Sequence, residues 1–328
     1  MNNYLFFRTD RIGDFLVSAI LLKAIKRNDK KAHISVVASS KNYFFINTLD
    51  FIDEVFLYPD NFLKKIFFFI KLRKKKYGLI CALDGKKRSI YFSFFLKSKV
   101  KILMTTKKIF KKLLKYFFSK IYLFDESKNK LEEIKDVLSL LKMSFDKNDI
   151  SFLKEKKINL KKINLLHDFI IFHFDEKWIY GQYINKYKSI EPSLENLEEF
   201  IYNLTEKTKK NLIITTGMID NDLIKKLLLS FNKENDKLYT KGFKDKLIQI
   251  YINIDFFELE YLIKNSLFLI GCHGASTHLA SAYGIKIYDI FDLSQKNFYH
   301  KWINHIENYS YFYRENFSDL SRKILNRI

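Results

Sequence analysis

The chain is poor in the residues that small secreted or fibrous proteins depend on: it has two cysteines, two prolines and nine glycines in 328 residues. Cys81 and Cys272 lie far apart and form no CxxC pair. That excludes a disulfide framework and a cysteine zinc site, and it fits a reducing compartment. So little proline and glycine excludes a collagen-like or low-complexity chain. Long apolar runs are missing too. The nearest candidates, such as Ile66 to Ile70, are cut by lysines well short of a bilayer's thickness. Arg8, Asp10 and Arg11 put charge where a secretory leader would need its apolar core. The expectation is a cytoplasmic protein, at most touching the inner face of the membrane.

Acids are absent from one stretch almost entirely. From Phe62 to Lys120, nineteen lysines and arginines stand against the single acid Asp84, an excess of 18 in a chain whose net charge is +21. A basic surface of this kind attracts phospholipid, acidic glycolipid or nucleic acid. Within it, Ile109, Phe110, Leu113, Leu114 and Phe117 recur at helical spacing, with lysines opposite. This predicts an amphipathic helix over 107–120. It is either a core-facing helix with a solvated lysine face or one lying at a membrane interface.

What is present is a full complement of core residues, 48% hydrophobic, enough for one large domain or two ordinary ones. Strands are expected at Tyr4–Thr9, His33–Ala38, Glu54–Tyr58, Tyr77–Leu83 and Val100–Leu103. Helices are expected at Phe15–Arg27 and Tyr43–Leu49. The alternation predicts a doubly wound, mostly parallel sheet. A Lys- and Asn-rich stretch from Ile150 to Leu166 reads as a linker, dividing the chain into domains 1–160 and 161–328. The second domain alternates again: strands at Asp168–His173 and Asn211–Thr216, then helices at Leu194–Thr208, Asp220–Phe231 and Phe257–Lys264. A strand at Ile285–Phe291 and a final helix, Asp319–Asn326, follow, the helix placed to pack back on the first domain. Ligands of such sheets bind beyond the strand C-termini, so an interdomain cleft is expected.

The segment Ser266-Leu-Phe-Leu-Ile-Gly-Cys-His-Gly-Ala-Ser-Thr-His-Leu-Ala-Ser-Ala-Tyr-Gly284 is an apolar strand, a glycine turn and a small-residue helix. Glycine allows close approach, and the first helical N–H groups point at whatever sits there, so the arrangement suits phosphate. The plain alternative is a tight turn without a ligand. Asp14, after Gly13 at the first strand's end, is either a helix cap or a general base. Lys177 could neutralise phosphate. Trp178 could pack on a sugar or base or close the core. Thr215, Thr216 and Gly217 could offer phosphate donors or form a turn, and His278 could donate to an anion or be a satisfied buried histidine.

Phe7-Arg-Thr-Asp-Arg-Ile-Gly-Asp-Phe-Leu-Val-Ser-Ala-Ile-Leu-Leu-Lys-Ala-Ile25, the strand at 33–38 and Leu49-Asp-Phe-Ile-Asp-Glu-Val-Phe56 together resemble the N-terminal signature of glycosyltransferase family 9. These are the ADP-heptose:lipopolysaccharide heptosyltransferases. The strand–turn–helix at 266–284 resembles the same family's C-terminal signature. The resemblance implies a GT-B architecture of two Rossmann-like domains. It implies acceptor binding in the first, around Arg11 and Gly13, and nucleotide-sugar binding in the second. It further implies inverting transfer without a metal ion or other cofactor, with Asp14 as the catalytic base. Lys177, Thr215 and Thr216 with His273, Gly274, Ala275, Ser276, Thr277 and His278 then correspond to donor-binding positions. An ADP-linked donor is favoured, and a lipid-linked or oligosaccharide acceptor is expected. One departure stands out: His273 occupies the place of the family's Asp, and Gly274-Ala275 replaces Thr-Gly or Ser-Gly. The loop therefore supports a nucleotide sugar without specifying one.

Three other readings remain at this stage. A sugar-nucleotide epimerase or hydrolase could use the same scaffold, and a degenerate transferase could bind nucleotide or glycan without turnover. A nucleic-acid-binding protein would also use a basic surface. However, no RNA or DNA module is recognisable and lysine far outnumbers arginine, so no specific nucleic acid is expected.

Overall fold

The computed structural model describes residues 2–123, 129–158, 160, 163, 165–179, 187–217 and 222–328. The chain forms two compact units, one of Met1–Phe152 with Lys301–His305 and one of Leu153–His300 with Ile306–Ile328. The units part earlier than the expected boundary between 160 and 161, and Lys301–His305 joins the first unit. Part of the stretch read as a linker lies outside the described residues, as does the start of the helix expected from Asp220.

In the first unit, strands β1 (Asn3–Arg8), β2 (His33–Ala38), β3 (Glu54–Leu57), β4 (Tyr77–Ala82), β5 (Ser98–Thr105) and β6 (Lys120–Leu123) form one parallel sheet. Their spatial order is β3-β2-β1-β4-β5-β6. Such a sheet is covered on both faces, which is why β1 and β4 read as nearly unbroken apolar runs. Helix α1 (Ile12–Asn28) follows β1 and buries eleven residues from Gly13 to Ile25. The remaining helices are α2 (Tyr43–Ile46), α3 (Phe62–Arg73), α4 (Lys87–Phe95), α5 (Lys108–Leu114) and α6 (Lys130–Leu140). Right-handed crossovers put α1 and α2 on one face of this strand order and α3, α4 and α5 on the other. Helix α6 packs on α1.

The expected helix over 107–120 is shorter than its pattern. It ends at Leu114, Phe118 is buried against the sheet, and Lys120 already belongs to β6. None of its residues is fully buried, but Phe110 and Leu114 are partly buried and pack against the core. The apolar period there continues past the helix because a turn and a strand reuse the same face.

In the second unit the central strand β7 (Phe169–Phe174) pairs with β8 (Asn211–Thr216) on one side and β12 (Phe268–Cys272) on the other. With β9 (Asn232–Lys233), β10 (Leu238–Phe243), β11 (Lys246–Tyr251), β13 (Lys286–Phe291) and β14 (Tyr309–Tyr313), the order is β14-β13-β12-β7-β8-β11-β10-β9. Its six parallel strands repeat the topology of the first sheet. At one edge β10 pairs antiparallel with β11, and β9 antiparallel with β10. Helices α7 (Leu194–Thr208), α8 (Asp222–Leu228), α9 (Phe256–Asn265), α10 (Ala275–Tyr283), α11 (Lys296–Ile303) and α12 (Phe317–Arg327) accompany them. The last helix packs on its own unit: Phe317, Leu320 and Ile324 enter the core that Trp178, Phe200 and Ile201 help to build.

Candidate functional site

In a sheet of this order the chain reverses direction beside the central strand, and ligands gather in the crevice beyond the strand ends there. In the second unit that point lies between β7 and β12. The loop after β7 carries Asp175 and Lys177, and the loop after β12 carries His273 and Gly274.

Asp175 is buried, and its carboxylate accepts from the Lys177 backbone N–H at 3.1 Å and pairs with the Lys177 ammonium. Burial opposes the ammonium form, but the Asp175 carboxylate outweighs it and holds the Lys177 pKa above the ordinary lysine value. The lysine is therefore a fixed cation. Gly274 makes room for it. A Cβ at that position would stand 2.8 Å from Lys177 Nζ and 3.3 Å from its Cε. Gly274 also caps α10, so the ammonium reaches the N-terminus of that helix, where the first N–H groups have no partner within the helix. Two positive influences meet at one point, which is what an anion requires.

The remaining groups brace this point from behind. Asp289 on β13 is buried and accepts three hydrogen bonds: from Thr277 Oγ1 at 2.9 Å, from Tyr309 Oη at 2.7 Å and from His273 Nδ1 at 2.6 Å. Thr277 Oγ1 in turn accepts from the Gly274 N–H at 3.1 Å. That occupies the Gly274 donor, leaving the N–H groups of Ala275, Ser276 and Thr277 for a ligand. Arg314, buried just beyond β14, donates to the Lys177 carbonyl at 2.9 Å and to the Lys188 carbonyl at 2.8 Å, fixing the loop after β7.

The expected donor-binding residues sort themselves by depth. Thr215 is wholly buried and its hydroxyl meets His173 Nδ1 at 2.8 Å, so it stands behind the site. Burial pushes the His173 pKa down to about 4, with Lys177 adding to the effect against the opposing pull of Asp175, so the ring is neutral at pH 7. Ser276, Thr277 and His278 are buried in the first turns of α10, while Gly274 and Ala275 are half-buried. The rings of His273 and His278 lie 5.1 Å apart, edge to face. Trp178 closes the core: it is fully buried, stacks on Phe174 at 5.4 Å and donates to the His173 carbonyl. Beside these groups a cavity of about 170 Å³ opens past the ends of β7, β8 and β11. Glu176, Thr216, Gly217, Tyr239 and Asn253 help line it.

The switch point of the first unit lies between β1 and β4. Arg8 is buried; it donates to the Leu83 carbonyl at 2.5 Å and to the Asp14 carbonyl, and pairs with Asp10 at 3.2 Å. Asp84, the lone acid of the basic block, is buried there and accepts from Thr9 Oγ1 at 2.6 Å and Ser89 Oγ at 2.7 Å. Arg88 donates to Thr9 Oγ1 at 2.8 Å and to its carbonyl at 2.7 Å. This network fixes the loop from which α1 starts. Asp14 is the third residue of α1, and the capping position belongs to the exposed Arg11. The cap reading therefore fails. No hydrogen bond engages the Asp14 carboxylate among the described residues. Gly13 is buried in the same turn. Asp10 has its pKa raised to about 6 by burial and by Asp14 and Asp84, against the opposing pull of Arg8.

Sequence reasoning missed Asp175, Asp289, Asp84 and Arg314. Asp289 carried a signal, a charge inside the apolar strand at 285–291. So did Asp84, the one acid among nineteen bases. Arg314 gave none.

Two parallel sheets of this order, each with polar groups gathered at its switch point, define an α/β protein of the GT-B-like class, built from two Rossmann-like units. No family model and no curated protein matches the sequence. Solved structures do. A glycosyl transferase family 9 protein from Veillonella parvula superposes with a TM-score of 0.64 at 13% identity, covering 99% of this chain and 91% of that one. E. coli heptosyltransferase WaaC with ADP-2-deoxy-2-fluoro heptose gives 0.64 at 11% identity, covering 99% and 100%. UDP-GlcNAc 2-epimerase from Methanocaldococcus jannaschii gives 0.56 at 13% identity, covering 100% and 92%. At such identities the likeness establishes the fold.

Proposed function

We propose that the protein is an inverting glycosyltransferase. It would move a sugar, heptose or a relative, from a nucleotide-diphosphate donor to a lipopolysaccharide-type or other cell-surface glycan. The observation that carries this reading is the meeting of the Lys177 ammonium with the N-terminus of α10 at Gly274. The first unit adds Asp14, a carboxylate with no hydrogen-bond partner among the described residues. The chain's likeness to family 9 structures, one of them WaaC with an ADP-sugar analogue, supports the same reading and favours an ADP-linked donor.

In this mechanism Asp14 takes the proton of the acceptor hydroxyl as its oxygen attacks the anomeric carbon. The bond to the diphosphate breaks in the same step, inverting the centre. Charge growing on the leaving oxygen is met by Lys177 and by the N–H groups of Ala275, Ser276 and Thr277, in place of a divalent cation. The nucleoside occupies the cavity at Thr216, Gly217 and Tyr239. His273, in the same loop, faces the donor.

The test is Asp14→Asn. Donor binding and melting temperature are expected to hold while transfer falls by at least about a hundredfold. Turnover like that of the unaltered protein would remove Asp14 as base. A thermal-shift panel of ADP-, UDP-, GDP- and CMP-sugars identifies the donor class, and no stabilisation by any of them would refute the site. Epimerase structures share the fold, so a donor-only incubation separates the chemistries. Donor consumed without acceptor at the transfer rate would replace transfer with epimerisation or hydrolysis.

A further inference from the structure

The face of the first unit that carries α3, α4 and α5 packs Phe68, Phe69, Phe92, Phe94, Phe110 and Leu114 against the core, yet leaves many other apolar side chains outside. Helix α3 buries only Leu72 of its twelve residues, and α5 buries none. Helix α4 buries Ser89, Ile90 and Ser93 while it exposes Tyr91 and Phe95. Phe62, Phe67 and Tyr116 are 72%, 71% and 82% exposed. Among the described residues, eleven of the nineteen exposed large apolar side chains lie between Phe62 and Phe117. The three helices form one surface. Phe69 of α3 meets Phe92 of α4 at 5.8 Å, and Phe94 of α4 meets Phe117, just past α5, at 4.7 Å. A soluble chain rarely exposes an apolar patch of this breadth.

What surrounds the patch identifies its occupant. The same stretch holds the charge excess of 18, and Lys64, Lys74, Lys87, Lys112 and Lys115 are all exposed. Aromatic and aliphatic side chains ringed by lysines match an anionic bilayer surface: apolar groups enter the acyl boundary while ammonium groups lie among the phosphates. Among the described residues no helix is long and apolar enough to cross a membrane, so the contact is lateral. We propose that this face is a peripheral membrane-binding surface for anionic phospholipid. Phe62, Leu63, Phe67, Phe95, Leu113 and Tyr116 sink into the interface. The inference is independent of the transferase reading, and its test uses no turnover.

The experiment is flotation of the full chain with vesicles of phosphatidylcholine alone or mixed with phosphatidylglycerol, across a sodium chloride series. Binding to the anionic vesicles is expected to exceed that to the neutral ones by at least about tenfold and to weaken with salt. The double variant Phe67→Ser/Phe95→Ser is expected to lose about tenfold in affinity at unchanged melting temperature, since both rings are exposed. Lys64→Glu/Lys74→Glu/Lys112→Glu is expected to lose the preference for anionic lipid. Phe67→Trp adds a reporter whose emission should shift to the blue only with anionic vesicles, over a background from the buried Trp178 and Trp302. Equal binding to both vesicles, or binding indifferent to both sets of substitutions, overturns the proposal. Self-association that Phe67→Ser/Phe95→Ser abolishes, with vesicle binding intact, would assign the face to a second copy of the chain instead. RNA binding lost in the lysine variant with vesicle binding intact would assign it to nucleic acid.

Discussion

At the residue scale the candidate donor site depends on a missing methyl group. Gly274 lies in extended backbone that any residue could adopt, so its value is the space it leaves for Lys177. Gly274→Ala would put a Cβ 2.8 Å from the ammonium and push a flexible side chain aside without disturbing the core. We expect donor affinity to fall by about tenfold, one charge-assisted contact's worth, with a nearly unchanged melting temperature. Lys177→Met should lose at least as much, and calorimetric titration measures both. Asp289→Asn tests the brace. A buried carboxylate with three donors becomes an amide that must turn its NH2 toward at least one of them, for a destabilisation of about 2 kcal/mol by denaturant titration. Asp289 also bears on His273: with Nδ1 held 2.6 Å from that carboxylate, Nε2 is the ring nitrogen left for a ligand.

At the scale of elements, scarcity of glycine has a visible consequence. Lys142, Asp168, Lys209, Lys244 and Asn253 all adopt positive φ, where glycine is the usual choice. Lys209 ends α7 in the left-handed region at φ 52° with its side chain exposed. Lys209→Gly should therefore raise stability by up to about 1 kcal/mol, the relief of left-handed strain outweighing added chain entropy. No change, or a loss, in chemical denaturation would show that the lysine side chain contributes there. The same substitution of lysine for glycine hid the hairpin of β10 and β11. Its tight turn is Lys244-Asp245, without the Asn-Gly or Asp-Gly pair that announces such turns. Central strands were legible because burial on both faces leaves unbroken apolar runs, as in Phe169–Phe174. The strand–turn–helix at 266–284 and the Asp14 turn were legible for a related reason: glycine beside small or acidic residues has few other uses. Arg314 was not, since the Lys177 and Lys188 carbonyls it meets come near it only in the folded sheet, and Asp175 was not, since its burial has no local mark in the sequence. Helix α4 was hidden by its serines, turned inward to Asp84 and its own backbone.

At the scale of the whole molecule the two units carry opposed pH dependences. Asp10, in the first, has a folded pKa of about 6 against an ordinary value of 3.8. A raised carboxyl stabilises fully below the unfolded pKa, and that contribution fades as pH rises from about 4 to 6. His173, in the second, has a folded pKa of about 4 against 6.5. Its contribution is complete above 6.5 and fades as pH falls toward 4. Each effect is worth up to about 3 kcal/mol. Asp10→Asn should therefore stabilise the first unit relative to the unaltered chain at pH 7 and lose that advantage by pH 4. Hydrogen exchange read separately on β1 and β7 distinguishes the units. A stability gap for Asp10→Asn that is flat with pH would show that Asp10 does not titrate in this window. Charge is divided as unevenly as pH response. Outside Phe62–Lys120 the chain carries a net charge of only +3. A body charged so unevenly is oriented by any anionic surface before contact, with its first unit leading. Arrival and departure then obey different physics: the rate of arrival should fall steeply with ionic strength, while the dwell time, set by Phe67 and its apolar neighbours, should scarcely respond.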